Sequence, residues 1–182
     1  MEKVNKRVGF VATGDELVNG DILNSNSQYF AQRCIDNGIQ PGRQVVVADD
    51  EQEIAHAIHY LLQDHNAVIT IGGLGPTADD RTRFALASAL NLELVFNEEA
   101  WQWIIALLTS KNLEIPETNR QQALFPEGAT AIYNANGSAA ACYVPYKNHD
   151  IFMLPGPPNE CFTIFDEIVL PRLLAENYAY KV

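Results

Sequence analysis

The sequence has no excess of basic residues, no paired-cysteine spacing, no apolar run of membrane-spanning length and no tract of simple or repeated composition. Against 23 Asp and Glu stand only 12 Lys and Arg, for a formal net charge of −11 over 182 residues. Nonspecific binding to nucleic acid relies on clustered cations against phosphates, so no nucleic-acid partner is expected. The three cysteines, Cys34, Cys142 and Cys161, lie far apart among apolar neighbours. They suggest neither a disulfide framework nor a zinc site, and each reads as a buried thiol. No stretch approaches the roughly 18 apolar residues that a membrane span needs, and the charged start, residues 1–7, is unlike a secretory signal. A cytoplasmic address with no membrane partner is the expectation. No Pro/Gly/Ser linker divides the chain, so one domain over residues 1–182 is expected.

What is present is ordinary for a globular chain, 47% hydrophobic and 19% charged, long enough to bury roughly two-thirds of its unfolded surface. Short β-branched runs alternate with segments of helical periodicity. Strands are expected at residues 8–12, 44–48, 67–71 and 92–96, then shorter ones near 129–133, 142–145 and 151–154. Helices are expected at 24–37, ended by Gly38, and after Asp49-Asp50 with Ile54, Ala57, Ile58, Leu61 and Leu62 as the apolar face. Further helices are expected at about 79–90, from 97 or 98 onward, at 116–124, and from 158 to about 174. This alternation predicts an α/β fold: a mostly parallel sheet with helices on both faces, one edge turning antiparallel.

Ligands of open α/β sheets sit beyond the carboxyl ends of the strands, and four loops here fall at such ends. The first, Thr13-Gly14-Asp15-Glu16-Leu17 with Asn24-Ser25-Asn26 beyond it, offers two acids for a metal or a ligand hydroxyl; the plain alternative is a loop and a helix cap. In the second, Asp49-Asp50, the plain alternative is a helix cap, while the place at a strand end favours a functional carboxylate. The third, Gly72-Gly73-Leu74-Gly75-Pro76-Thr77-Ala78-Asp79-Asp80, is the most informative. Its three glycines let the backbone approach a ligand closely. The helix that follows would add unpaired amides suited to a phosphate, and Thr77 a hydroxyl. Asp79 and Asp80 place negative charge where that phosphate would lie, which calls for an intervening divalent cation or a ligand donor. The loop is neither GxGxxG nor a Walker sequence. The fourth, Pro155-Gly156-Pro157-Pro158-Asn159-Glu160, either forms a rigid pocket wall or merely reverses the chain.

Other polar residues carry less. His56 and His59 share a helix face without an evident third ligand and read as surface histidines. Trp101 and Trp103 cannot share one helix face, so one is expected in the core and the other at an interface or pocket cover.

Thr13-Gly14-Asp15-Glu16-Leu17, Gly20, Asn26, Asp49, GGLGPTADD and LPGPPNE stand in the order and spacing of the competence/damage-inducible CinA family. The chain resembles the N-terminal domain of that family over nearly its whole length, a domain similar to the molybdopterin-binding domain of molybdenum cofactor biosynthesis proteins. The resemblance implies a three-layer α/β/α sandwich with a pterin-like or nucleotide ligand at the strand ends. It implies that Asp49 and Asp80 are catalytic, and that Glu16, Asp49, Asp79 and Asp80 ligate a divalent ion, Mg²⁺, Mn²⁺ or Co²⁺. It further implies ligand contacts from Gly14, Asp15, Asn26, Gly72, Gly73, Leu74, Gly75, Pro76, Thr77, Ser138, Pro155, Gly156 and Pro157. CinA-type domains are associated with metal-dependent ADP-ribose pyrophosphatase activity. Their pterin relatives transfer an adenylyl group to molybdopterin, and a non-catalytic regulatory module is a third alternative. Homo-oligomers are common among such relatives. The separate C-terminal deamidase domain of CinA proteins is expected to be absent here, as is the small subdomain that follows in full-length relatives. One loop departs from the family pattern: in Asn136-Gly137-Ser138-Ala139-Ala140-Ala141-Cys142, alanines replace a Pro and a Gly, removing a rigid turn and a permissive one.

Overall fold

The computed structural model describes residues 6–179. The chain runs β1 (Arg7–Thr13), α1 (Asp15–Val18), α2 (Ser25–Asp36), β2 (Gln40–Val47), α3 (Glu51–Leu62), β3 (Ala67–Ile71), α4 (Thr82–Leu90), β4 (Leu94–Phe96) and α5 (Glu98–Ser110). A 3-10 helix, Glu117–Ala123, leads to β5 (Leu124–Pro126), β6 (Thr130–Ile132), β7 (Ala141–Tyr146), β8 (His149–Leu154), α6 (Pro158–Ile164) and α7 (Leu170–Ala175).

Six strands form one sheet in the order β2-β1-β3-β8-β7-β6. The first four are parallel and the last two pairings antiparallel. Alternate side chains of each strand feed two cores. Val8, Phe10, Ile69, Ile71, Phe152 and Leu154 pack with Phe30, Cys34, Phe165 and Leu173 from α2, α7 and the turn before α7. Val11, Val68, Ile151 and Met153 point the other way, onto Ile54, Ile58 and Leu61 of α3 and Leu86 and Leu90 of α4. The result is helix, sheet, helix. Each buried Phe, Leu or Ile contributes about 1.5–3 kcal/mol relative to exposure. The stacked pair Phe30–Phe165, 4.4 Å between centroids, locks α2 to the C-terminal helices.

Several boundaries differ from the sequence expectation, each for a local reason. Strand β2 begins at Gln40 rather than 44, taking in Pro41 and Gly42. It lies at the sheet edge, where a proline without an amide proton is tolerated, and the register shifts opposite Val8/Phe10. Helix α4 starts at Thr82 rather than 79. Before it, the Asp80 carboxylate accepts from the Thr77 amide at 2.9 Å, closing a tight turn. The segment expected as a helix at 116–124 is a 3-10 helix followed by β5, which the sequence reading missed; β5 pairs antiparallel with β4 outside the main sheet. The last helix is interrupted by a π-helical turn, Phe165–Val169. Pro171 supplies no amide to the ladder there, which favours such a widened turn. Neither tryptophan enters the core: both are half-buried, Trp101 near Phe96 and Trp103 edge-on to Tyr133.

The three cysteines are buried, and burial pushes each thiol up to about 12. His56 and His59 are exposed. Among the described residues no helix is long and apolar enough to cross a membrane.

Candidate functional site

The chain passes from β1 outward to β2, then returns to place β3 on the other side of β1. At this reversal the loops after β1 and β3 diverge and open a crevice at the carboxyl ends of the strands. A cavity of about 680 Å³ occupies it. Its walls come from the four loops singled out above and from the 134–139 segment.

The glycine loop forms one wall. Gly72 and Gly73 have φ of +98° and +70°, conformations that side chains resist. A Cβ on Gly73 would run into Thr82 Oγ1, and one on Gly75 would lie 2.6 Å from Asp80 Oδ2. The Gly72 amide donates to Leu154 O at 3.0 Å, tying β3 to β8. The amides of Gly73, Leu74 and Gly75 have no acceptor among the described residues. Their carbonyl neighbours, by contrast, are held. Leu74 O accepts from Arg83 Nη2 at 2.7 Å and from Gln122 Nε2 at 3.3 Å. Gly75 O and Thr77 O both accept from Gln121 Nε2, at 3.0 and 2.8 Å. In a trans peptide the carbonyl and the following amide point in opposite directions. Drawing Leu74 O toward this clamp therefore turns the Gly75 amide away from it.

Arg83 is the centre of the clamp and is fully buried. Nη1 also donates to Gln122 O and Leu124 O, at 3.1 and 2.9 Å. Nε has no partner among the described residues, and no carboxylate pairs with the guanidinium there. Burial pulls it down to about 10, partly offset by the Cys142 thiol and Asp80. A cation held by carbonyls behind a glycine loop is an expensive way to make a plain turn.

The helix expected to point its N-terminus from this loop does not. Thr82 and Arg83, the first residues of α4, are fully buried behind Gly73, and the Thr82 amide donates to Gly73 O at 3.3 Å. A different helix start faces the cavity. Asn24, Ser25 and Asn26, at the head of the 12-residue α2, line it. Asn24 caps the helix by accepting from the Ser27 amide at 3.2 Å. Asn26 donates to Gly156 O at 2.7 Å, fastening the proline loop, and its Oδ1 is buried without a partner among the described residues.

Glu16, Asp49, Asp79 and Asp80 all line the cavity. Asp50, not Asp49, caps α3, accepting from the amides of Gln52 and Glu53 at 2.9 Å each. This leaves the half-buried Asp49 to the cavity. Its carboxyl is pushed above the usual range, first by burial and then by the negative charges of Asp15, Glu16 and Asp80, against a hydrogen bond from the Asp15 amide. Asp15 and Asp49 cap one another: Asp15 N donates to Asp49 Oδ2 at 3.3 Å and Asp49 N to Asp15 Oδ1 at 3.1 Å. Gly14, donating to Val47 O at 3.0 Å, and Asp15 are not on the cavity wall; they hold the first loop against β2. Asp80 Oδ2 also accepts from the Thr77 hydroxyl at 2.6 Å. Charge here suits a cation, yet no group of three His, Cys, Asp or Glu side chains is arranged to hold a metal among the described residues. The carboxylates thus match an ion in chemistry and sign, while Asp49 and Asp80 currently serve backbone amides.

Ser138, Pro155, Gly156 and Pro157 line the opposite wall together with Glu160. Ser138 Oγ accepts from Gln122 at 3.2 Å, and Ala139 to Ala141 are buried at the start of β7. Cavity residues that the sequence reading passed over are Gln122, Ile22, Leu23 and Glu160, with Arg83 and Gln121 supporting from behind. Glu160 stood inside a motif already noticed; the glutamines carry no pattern signal.

The sequence pattern of the family described as probable molybdopterin binding domain matches residues 9–175. A CinA-like protein of Geobacter metallireducens is 39% identical over 96% of this chain and 42% of its own. A protein of Alkaliphilus oremlandii, named for competence-damage induction, is 38% identical over 92% of this chain and 40% of its own. The chain thus spans about two fifths of the length of these curated relatives. The crystal structure of CinA from Thermoplasma acidophilum superposes with a TM-score of 0.85 at 25% identity, covering 93% of this chain and 99% of that one. MoaB of Pyrococcus furiosus, a tungsten cofactor synthesizing protein, shares the fold with a TM-score of 0.59 at 15% identity, covering 97% and 99%.

Proposed function

We propose, from the premise that this chain belongs to the probable molybdopterin binding domain family and has CinA-like proteins as its relatives, that it binds the pyrophosphate of a nucleotide such as ADP-ribose and hydrolyses it with a divalent metal ion. The observation that carries this reading is the combination, among the described residues, of free amides at Gly73, Leu74 and Gly75 with a cavity wall that includes five carboxylates and no Lys, Arg or His. Backbone amides can grip a phosphate oxygen without cationic side chains. Surplus acids beside that phosphate repel it unless a cation lies between them.

Asp49, Asp79 and Asp80, with Glu16, are the residues that would hold Mg²⁺, Mn²⁺ or Co²⁺. Such an ion supplies neutralisation of the charge that builds on the phosphate oxygens. The loop amides orient the phosphorus for attack by water. The water oxygen bonds to phosphorus, the bond to the bridging oxygen breaks, and a carboxylate takes the proton. The products are AMP and ribose 5-phosphate.

The family description supports a second reading, binding of a pterin phosphate with adenylyl transfer to it. Both readings place a phosphate on the same amides. Incubation with ADP-ribose and each metal in turn, following AMP, tests the first. No AMP with any of the three metals defeats hydrolysis, and tight binding without turnover leaves a binding module. In thermal unfolding, ADP-ribose plus metal should raise the melting temperature of the wild type. Asp80→Asn, which can still accept from Thr77, should lose most of that rise. An unchanged rise takes Asp80 out of the site.

A further inference from the structure

Four of the five carboxylates on the cavity wall gather around the glycine loop and the end of β2. The fifth, Glu160, stands apart. The leading charges on Asp49 are those of Asp15, Glu16 and Asp80, and Glu160 belongs to none of their elements. It lies in the first turn of α6, just beyond the Pro157-Pro158 corner, half-buried.

Its carboxylate is built into place. Oε2 accepts from Asn134 Nδ2 at 2.7 Å. Asn134 is only 4% exposed. The same Nδ2 donates to Ala139 O at 3.0 Å, and Oδ1 accepts from the Asn136 amide at 3.0 Å. The buried amide has no other task than fixing this corner. Gly137 lies opposite: a Cβ there would overlap the Glu160 carboxylate and displace it. Glu160 Oε1 has no partner among the described residues, and no Lys or Arg pairs with the side chain there. A carboxylate held on one oxygen and without a partner on the other, in a residue that lines the cavity, is an acceptor awaiting a donor.

We infer that Glu160 determines specificity for the organic part of the ligand by accepting a hydrogen bond from the exocyclic amine of its heterocycle. The site therefore prefers amino-substituted rings, adenine or an aminopterin, over oxo analogues of the same shape. An amine donates to the carboxylate with charge assistance. A ring carbonyl at the same place sets two acceptors face to face and leaves the fixed carboxylate unpaired, the situation in which polar sites discriminate most strongly. The inference rests on the reading that the phosphate end of the ligand lies on the Gly73–Gly75 amides.

ADP and IDP differ in the 6-substituent, amine against oxo, and in the N1 proton that accompanies the oxo form, and inorganic pyrophosphate lacks the ring. Calorimetric titration of the full chain with each, in the presence of Mg²⁺, should show ADP binding about tenfold or more tightly than IDP. Glu160→Gln keeps the shape and an acceptor for Asn134, but offers the ring donor and acceptor alike. It should bring the two nucleotides within about threefold of one another while leaving pyrophosphate affinity unchanged. Equal wild-type affinities for ADP and IDP, or a preference that survives Glu160→Gln, overturn the inference. Failure of pyrophosphate to bind overturns instead the phosphate-loop reading beneath it.

Discussion

Replacing Arg83 with methionine separates the work of its charge from the work of its bulk. The side chain is fully buried and donates to three carbonyls, of Leu74, Gln122 and Leu124. Charged donors contribute about 1.5–3 kcal/mol each, so roughly 4.5–9 kcal/mol of interaction is removed. Methionine also removes the penalty of a buried cation. The fall of Arg83 from 12.5 to about 10 corresponds to about 3 kcal/mol against the charged form. The net expectation for Arg83→Met is a loss of roughly 1.5–6 kcal/mol. For a chain of this length, about 1 kcal/mol lowers the melting temperature by about 2–4 °C. A drop of about 3–24 °C in calorimetric unfolding is therefore expected. Binding should suffer beyond stability. With Leu74 O left only to Gln122, the Gly75 amide is less firmly turned, and pyrophosphate affinity measured well below the melting temperature should fall several-fold. A variant that melts at or above the wild-type temperature, and binds pyrophosphate as well, would refute the clamp.

Two further outcomes follow from the same geometry. Gly73→Ala places a Cβ at φ +70° and against Thr82 Oγ1; left-handed backbone alone costs about 1–2 kcal/mol, so thermal unfolding should shift down by at least ~2 °C, and an unchanged melting temperature would show that the loop relaxes freely. His65 is almost fully buried, its Nε2 accepting from the Arg43 amide at 3.0 Å, and burial holds it below its ordinary 6.5 despite Asp64. A histidine depressed in the folded state contributes stability that is complete above the unfolded value and is lost as pH falls through the folded one. Denaturant unfolding between about pH 7 and pH 5 should show that decline, and a His65→Gln variant with the same slope would rule His65 out as its source.

Much of this fold was legible along the chain. The β-branched runs at 67–71 and 151–154 emerge as β3 and β8 in the middle of the sheet, and the helical spacing of Ile54, Ile58 and Leu61 emerges as the buried face of α3. Period and turn chemistry are local properties, and residues within a few positions of one another settle them. The glycine loop was equally visible, because Gly72 and Gly73 answer to positive-φ backbone angles that other residues take only with strain.

The parts that escaped depend on partners distant in sequence. Whether Asp49 or Asp50 caps α3 turns on which carboxylate the Asp15 amide captures, 34 residues away. The Gly75 amide is turned outward because Gln122, 48 residues beyond Leu74, and Arg83 hold the Leu74 carbonyl. Arg83 reads as an ordinary surface arginine at a helix start until α4 is seen to begin behind Gly73. Sequence alone thus determined that strands and helices alternate and that a glycine-rich turn follows the third strand, since these rest on near-neighbour sterics and hydrophobic periodicity. Tertiary structure alone decided which of that turn's polar groups remain unspent. Hydrogen-bond capacity is assigned in competition among every donor and acceptor the fold brings together, and only the closed chain brings them together.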